Sequence, residues 1–292
     1  MATTAQWVEG ARLRTLPMAI APVLVGSAAA FALDGFHLGR ALLALFVALA
    51  LQVGVNYAND YSDGIRGTDD ARVGPLRLTG SGAAPAATVK TAAFACFGAA
   101  SVAGLGLVAW SGTWWLIAVG VAAVAAAWYY TGGKKPYGYL GLGEVFVFIF
   151  FGLVAVLGTT YTQALALSGP AWAGAVGCGL ISTALLMANN VRDIPTDRET
   201  GKMTLAVRLG DTPARWSYVA MVAVALILPV LSSLLTGQHP WLWLVLLAGV
   251  VAVKPSVTML RSADRRDLIP VLKLTGVLGL VYAVLFALGL VL

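Results

Sequence analysis

Apolar runs of bilayer length, separated alternately by short connections and long polar ones, organise this chain. Crossing a hydrocarbon core takes about 20 helical residues. Nine stretches meet that length, at about 16–33, 41–58, 89–109, 113–131, 144–166, 171–190, 215–235, 241–260 and 269–291. The eighth is interrupted by Lys254-Pro255, where proline removes a backbone donor. Long polar segments fall at 59–88, 132–143, 191–214 and 261–268. The pattern predicts an all-α polytopic membrane protein of nine transmembrane helices.

Alternation places every long polar segment on the side of the N-terminus. That side collects Arg12, Arg14, Lys134, Lys135 and every other Lys and Arg of the chain except Arg40. By the positive-inside rule it is cytoplasmic, with the N-terminus inside and the C-terminus outside. The acids segregate in the same way, with Asp34 alone outside. Acids contribute little to topology, so their enrichment has another cause.

Composition agrees with the runs. At 59% hydrophobic residues and 11% charged, with 33 glycines, the chain lies far from a soluble globular average. No linker divides it, so residues 1–292 read as one integral membrane domain. Glycine-rich stretches at Gly98 to Gly106 and Gly174 to Gly179 predict close helix packing through small residues. Cys96 and Cys178 lie inside apolar runs, which excludes a disulfide framework and a thiolate metal site. The first 13 residues lack a short apolar core with a cleavage site, so no signal peptide is expected. The net charge of +6 favours anionic lipid headgroups, and the lipid bilayer, not nucleic acid, is the expected surroundings. A plasma-membrane location follows.

Two polar motifs interrupt this greasy pattern. The second run ends in Asn56-Tyr-Ala-Asn59-Asp60-Tyr-Ser-Asp63-Gly-Ile-Arg66-Gly-Thr-Asp69, and the sixth in Asn189-Asn190-Val-Arg192-Asp193-Ile-Pro-Thr-Asp197-Arg198-Glu-Thr-Gly-Lys202. In a helix Asn56 and Asp60, Asn59 and Asp63, and Asn189 and Asp193 stand four residues apart on one face. Both motifs emerge at the cytoplasmic side, four helices apart, as an internal duplication would place them. Carboxylates at that density repel unless a cation lies between them, and Mg2+ suits oxygen ligands, taking one or two carboxylates and completing its shell with water and phosphate. Arg66, Arg72, Arg77, Arg192, Arg198 and Lys202 then suit a diphosphate. An anionic head bound beside an apolar interior describes a polyprenyl diphosphate. A solvated loop carrying topology charges is the competing reading of each motif, and the recurrence of the spacing opposes it.

The second long segment holds Tyr129-Tyr130-Thr-Gly-Gly-Lys134-Lys135-Pro136-Tyr137. A lysine could reach the phosphates and the tyrosines could face a cationic intermediate, or the same residues could form an interfacial aromatic belt with topology lysines. Arg12 and Arg14 read as a topology signal, and Glu144 as a helix-dipole partner at the start of the fifth helix. His37 and His239 lie in outer loops and have no assigned role.

Taken together, Arg12-Leu-Arg14-Thr-Leu-Pro17, Asn59-Asp60-Tyr-Ser-Asp63 with Gly67 and Asp69, Tyr130-Thr-Gly-Gly, Gly141-Leu-Gly143-Glu144, Asn189-Asn190-Val-Arg192-Asp193 with Asp197 and Gly201-Lys202, and Thr204-Leu-Ala-Val-Arg208 resemble the UbiA superfamily of intramembrane aromatic prenyltransferases. Within it the forms are similar to members acting on 1,4-dihydroxy-2-naphthoate. The resemblance implies a nine-helix bundle with a central cavity opening laterally to lipid, and two Mg2+ ions bridging the motifs to the diphosphate. Transfer would occur to the ring carbon bearing the carboxylate, with loss of CO2. It further implies Asn56, Asp60, Asp63, Asp193 and Asp197 as metal and diphosphate residues. Asn59, Arg66, Asp69, Arg72, Lys135, Tyr137, Asn189, Asn190, Arg192 and Lys202 are the expected diphosphate or acceptor contacts. Lys134 stands where the family usually has proline, so either lysine of the pair could serve. A 4-hydroxybenzoate or homogentisate acceptor is the near alternative. A CDP-alcohol phosphotransferase shares the Asp60-Tyr-Ser-Asp63-Gly64 opening but lacks the elements that should follow it. A transporter would place its ionisable groups near the midplane.

Overall fold

A computed structural model describes residues 2–67 and 76–292, and no strand occurs among them. The principal helices are α1 (Thr4–Gly10), α2 (Pro17–Phe31), α3 (Leu38–Gly64), α4 (Ala86–Ser111), α5 (Leu116–Tyr129), α6 (Gly143–Ala164), α7 (Gly169–Glu199), α8 (Asp211–Thr236), α9 (Pro240–Arg261) and α10 (Leu268–Val291). Helix is what an apolar run must form in lipid, because only there does each backbone group find its partner within the segment.

Among the described residues seven helices are long and apolar enough to cross a membrane, and eight if the bent pair Thr4–Thr15 and Pro17–Phe31 is one span. Each of the nine expected runs falls on a helix, but the first is bent by 47° at its entry and the fourth, Leu116–Tyr129, is short. The bend has a local cause. Arg12 adopts a left-handed conformation (φ 54), a single turn follows at Leu13–Thr15, and Pro17 opens α2, where a missing N–H costs nothing. From α3, the Asn56 amide donates to Ala11 O (2.9 Å) and Thr15 Oγ1 (3.0 Å), fixing the break.

Both polar motifs are helical well past the apolar runs. At 1.5 Å per residue the 31 residues of α7 extend about 46 Å, longer than the roughly 30 Å hydrocarbon core. Its last turns, carrying Arg192 to Glu199, therefore project beyond it as helix and not as the loop expected from 191. Pro195 lies inside that projecting part and cannot donate to Val191 O, four residues earlier. Arg265, from the turn before α10, donates its Nη1 to that carbonyl instead. Asp211 holds Arg265 in turn through Oδ1 (2.9 Å).

A large core joins α2, α6, α7, α8, α9 and α10, and a smaller one joins α1, α3, α4 and α5. Between them α5 and α6 both line a cavity, and among the described residues no substantial α5–α6 packing closes it. Small residues set the closest approach in the large core: a Cβ on Gly152 would lie 2.5 Å from Gly179 Cα, and one on Gly177 would lie 2.0 Å from the Tyr282 hydroxyl. The expectation for Gly174 to Gly179 holds. For Gly98 and Gly106 it does not, since open space surrounds both; they sit on α4 at the edge of the bundle. Cys96 and Cys178 are free.

Charge separates to the two ends of the bundle. At one end the chain start, the segment 76–80, the loop 131–139 and the turn after α7 touch one another, through Leu76 N to Glu9 Oε1 (3.1 Å), Thr131 Oγ1 to Asn59 Oδ1 (2.8 Å) and Met203 N to Tyr139 O (3.1 Å). At the other, Arg40 donates to Thr162 O (3.1 Å) and Trp110 O (2.9 Å). Arg40, the one arginine or lysine expected at that end, thus ties helix ends together.

Replacing the missing Pro195 donor gives a direct test. Arg265→Ala should lower stability by about 1–3 kcal/mol, read as thermal unfolding in detergent. Pro195→Ala, which restores the N–H to Val191 O, should recover most of that loss in the double variant. Equal losses with and without Pro195 would show that Arg265 acts elsewhere.

Candidate active site in a membrane cavity

The cavity encloses about 640 Å³ and runs from the charged end into the bundle. Its mouth takes residues from both motifs: Asn56, Asn59 and Asp63 on α3, and Asn189, Asn190 and Arg192 on α7 with Lys202 just beyond. Val23, Ala44, Leu107, Val108, Val119 and Gly158 continue its wall inward, and most of that stretch is apolar. Helical periodicity accounts for the mouth, since residues three and four apart share a face.

Each of the four described aspartates of the two motifs that were expected at the site is met by a donor, and Asp63 alone of them lines the cavity. Asp60, 0% exposed, accepts from Leu78 N with Oδ2 and from Thr79 N with Oδ1, both at 2.8 Å. It therefore anchors the segment 76–80 over the end of α3 and is not part of the cavity wall. Asp63 accepts from the Tyr139 hydroxyl at 2.8 Å and lies 4.0 Å from Arg77 Nη2. Asp193 takes Arg192 side-on, at 2.6 Å from Nε and 2.8 Å from Nη2, and the same guanidinium reaches Asn189 Oδ1 at 2.9 Å. Asp197 lies 3.4 Å from Lys202 Nζ. The bidentate, charge-assisted contact between Arg192 and Asp193 offsets the cost of burying that carboxylate.

Tyr139 links the two walls. Its hydroxyl serves Asp63, while its ring takes Lys202 Nζ at 5.4 Å and the Arg66 guanidinium at 5.3 Å, distances at which a ring face attracts a cation. Beyond it Tyr130, Tyr137 and Phe146 form an aromatic wall, with Tyr137 stacked on Phe146 at 4.0 Å and edge-on to Tyr130 at 5.6 Å. The Tyr137 hydroxyl donates to Ala126 O (2.8 Å), and burial pushes its phenol up from the ordinary value. Tyr137 accordingly offers its ring to the cavity and keeps its proton.

Several expected residues sit elsewhere. Arg66 donates to Thr131 O and Gly133 O, fastening the 131–133 loop to α3 without lining the cavity. Lys134 and Lys135 are both exposed and outside its wall. The positive φ of Gly133 (77) turns the chain here. Asp69 and Arg72 lie outside the described residues. Arg12 and Arg14, read as topology signals, line the cavity instead, because the left-handed Arg12 folds the entry turn over its mouth. Arg12 Nη2 is buried without an acceptor among the described residues. Glu144, read as a dipole partner, is 4% exposed and accepts from Asn190 Nδ2 at 2.8 Å. Tyr139 was not singled out by pattern; its place two residues after Tyr137 beside Lys134-Lys135 was the available signal.

Among the described residues no three His, Cys, Asp or Glu side chains gather closely enough to enclose a metal ion. A closed structural site of protein ligands is therefore absent there. What the mouth does provide is the Asp63 carboxylate on α3, flanked by Arg12, Arg14, Arg77, Arg192 and Lys202; Asp193 and Asp197 on α7 stand outside the wall, held to it through Arg192 and Lys202. That arrangement suits a hard cation shared with a phosphate-bearing ligand, because Mg2+ commonly takes few protein oxygens and fills its shell from water and phosphate.

Known proteins resemble this chain over nearly its whole length. The chain is 53% identical over 287 residues to the 1,4-dihydroxy-2-naphthoate octaprenyltransferase of Mycobacterium tuberculosis, covering 98% of this chain and 97% of that one. It is 39% identical to the enzyme of the same name from Escherichia coli, covering 98% and 95%. In fold it is similar to an apo UbiA homolog from Aeropyrum pernix (TM-score 0.73, 17% identity, 96% and 98% covered). It also matches a UbiA homolog from Archaeoglobus fulgidus bound to GPP and Mg2+ (TM-score 0.63, 14% identity, 96% and 99% covered). The description of the UbiA prenyltransferase family matches residues 19–277, and with most of its length so covered the chain belongs to that family.

Proposed function

We propose that this protein transfers the polyprenyl group of a polyprenyl diphosphate to 1,4-dihydroxy-2-naphthoate, releasing diphosphate and CO2, in menaquinone synthesis. The observation that carries the reading is one cavity whose charged mouth is built from both motifs and whose interior is apolar. A ligand with an anionic head and a long hydrocarbon tail matches both parts. The naphthoate acceptor rests on the full-length similarity to the relatives of that name.

The donor set fits Mg2+, with Asp63 and Asn56 from α3 and Asp193 and Asp197 from α7 as its holders. Asp60, turned to the backbone of Leu78 and Thr79, supports this set by holding the segment 76–80 beside it. Two ions, one for each motif, are the expected number. When bound, Mg2+ supplies Lewis-acid neutralisation of the charge that develops on the departing diphosphate. Arg12, Arg14, Arg77, Arg192 and Lys202 orient the phosphates and add their own charge. The allylic C–O bond breaks with its electron pair leaving on diphosphate, and the aromatic wall of Tyr130, Tyr137 and Phe146 faces the allylic cation. The acceptor carbon bearing the carboxylate forms the new C–C bond. Loss of CO2 then returns the C–C electron pair to the ring, so restoring aromaticity needs no base. The product is the hydroquinone form of demethylmenaquinone. An apolar interior keeps water from the cation. The charged mouth faces the cytoplasm at the plasma membrane, the side on which the basic residues concentrate.

Purified protein with Mg2+, a polyprenyl diphosphate and 1,4-dihydroxy-2-naphthoate should release CO2 and form the prenylated naphthalenediol. Turnover should stop with a chelator and return with added Mg2+. Product from 4-hydroxybenzoate or homogentisate, and none from the naphthoate, would keep the family and overturn the acceptor. Asp63→Asn and Asp193→Asn should each lower kcat/KM by about 10²-fold or more with unfolding temperature preserved; wild-type rates in either would remove that carboxylate from the site.

A further inference from the structure

Glu144 is buried at the start of α6, beside a cavity whose wall it does not join. One of its oxygens is used: Oε1 accepts from Asn190 Nδ2 at 2.8 Å. The other, Oε2, is buried and has no partner among the described residues. In its ionised form Glu144 can only accept, and it then sorts the two ends of the Asn190 side chain. The amide nitrogen must face Glu144, and the carbonyl oxygen is then left toward the cavity that Asn190 lines. An asparagine facing water or another amide would carry no such preference.

That orientation selects a ligand. A carbonyl oxygen repels phosphate, which needs donors, and the mouth already supplies donors from Arg12, Arg14, Arg77, Arg192 and Lys202. A phenolic hydroxyl is a donor and suits it. The neighbourhood is right for a flat ring as well: Tyr130 packs over Gly143, where a Cβ would lie 3.1 Å from its ring and 3.7 Å from its hydroxyl, and Phe146 stacks on Tyr137 two residues along α6.

We propose that Glu144 is a positioning residue that fixes the Asn190 carboxamide with its carbonyl toward the cavity, where it accepts a hydrogen bond from a ring hydroxyl of the aromatic acceptor. The inference rests on the prenyl-transfer reading above and adds to it the group that distinguishes the acceptor from the diphosphate. Glutamine in place of Glu144 offers both a donor and an acceptor, so the Asn190 amide loses its fixed sense while volume is kept. Aspartate in place of Asn190 sets two carboxylates against each other. With both changes, the amide of the new glutamine donates to the new carboxylate, and an oxygen again faces the cavity.

The test uses the full-length protein in detergent, with Mg2+, a polyprenyl diphosphate and 1,4-dihydroxy-2-naphthoate. Glu144→Gln and Asn190→Asp should each raise the acceptor KM about tenfold, with the polyprenyl diphosphate KM unchanged within about twofold. The double variant Glu144→Gln/Asn190→Asp should recover most of the loss. A wild-type acceptor KM in Glu144→Gln, equal movement of both KM values, or no recovery in the double variant would overturn the proposal. Should either single variant unfold, dihydroxynaphthoate binding by the double variant decides: near-wild-type affinity supports the proposal and lost affinity refutes it. Wild-type protein that never turns over the naphthoate would instead refute the underlying function.

Discussion

Buried carboxylates at the edge of an apolar bundle are tolerable only when each meets a donor, and that requirement shapes the charged end of this protein. An unpaired charge taken out of water costs several kcal/mol. Here Asp60 is met by two backbone N–H groups, Asp63 by Tyr139, Asp193 by Arg192 and Asp197 by Lys202. The partners come from segments far apart in the chain. Satisfying the acids therefore draws the segment 76–80, the 131–139 loop and the turn after α7 over one mouth, and the site is assembled by the same contacts that make its burial tolerable.

Arginine does a second job in the same region, serving backbone carbonyls that the helices leave open. Arg265 supplies Val191 O where Pro195 cannot. Arg66 takes Thr131 O and Gly133 O where the chain turns after α5, and Arg215 takes Met259 O (2.6 Å) and Ser262 O (3.0 Å) at the end of α9. Five planar donors on a rigid fork suit two carbonyls at once. These cations count toward the topology bias, but main-chain carbonyls hold them, with Asp211 pairing Arg215 and Arg265 as well. Basic residues at the mouth thus divide into carbonyl braces, such as Arg66 and Arg265, and cavity-lining groups, such as Arg12, Arg192 and Lys202.

Sequence pattern reached the helices and both motifs, because hydrophobic length and a four-residue spacing are local properties. It placed Asn56, Asn59, Asp63, Asn189, Asn190, Arg192 and Lys202 at one site, and all of them line the same cavity. What it could not separate was a carboxylate facing the cavity from one facing a loop. Asp60 and Asp63 share a motif, yet Asp60 is turned to the backbone of Leu78 and Thr79, partners 18 and 19 residues away. Lys135 lies outside the cavity wall and Arg12 within it for a related reason. Each depends on a single backbone turn, at Gly133 (φ 77) and at Arg12 itself (φ 54), and a left-handed arginine has no signature in residue type. Tyr139 carried only a neighbourhood signal and the Glu144–Asn190 pair none, because their partners lie across long gaps in the chain.

The two cores leave a gap on the side of α5 and α6, and that gap has a chemical consequence. A tail of many isoprene units need not fit within about 640 Å³ if it can leave between these helices into lipid, which is as apolar as the cavity itself. On the proposed reading the head, by contrast, belongs at the mouth, where Asn189, Arg192, Tyr130 and Lys202 line the cavity. Anchoring the charged end while leaving the hydrocarbon end open separates recognition of the diphosphate from recognition of chain length. Selectivity for the acceptor must then come from the aromatic wall and the few polar groups beside it, because neither the tail passage nor the phosphate cations distinguish one aromatic ring from another.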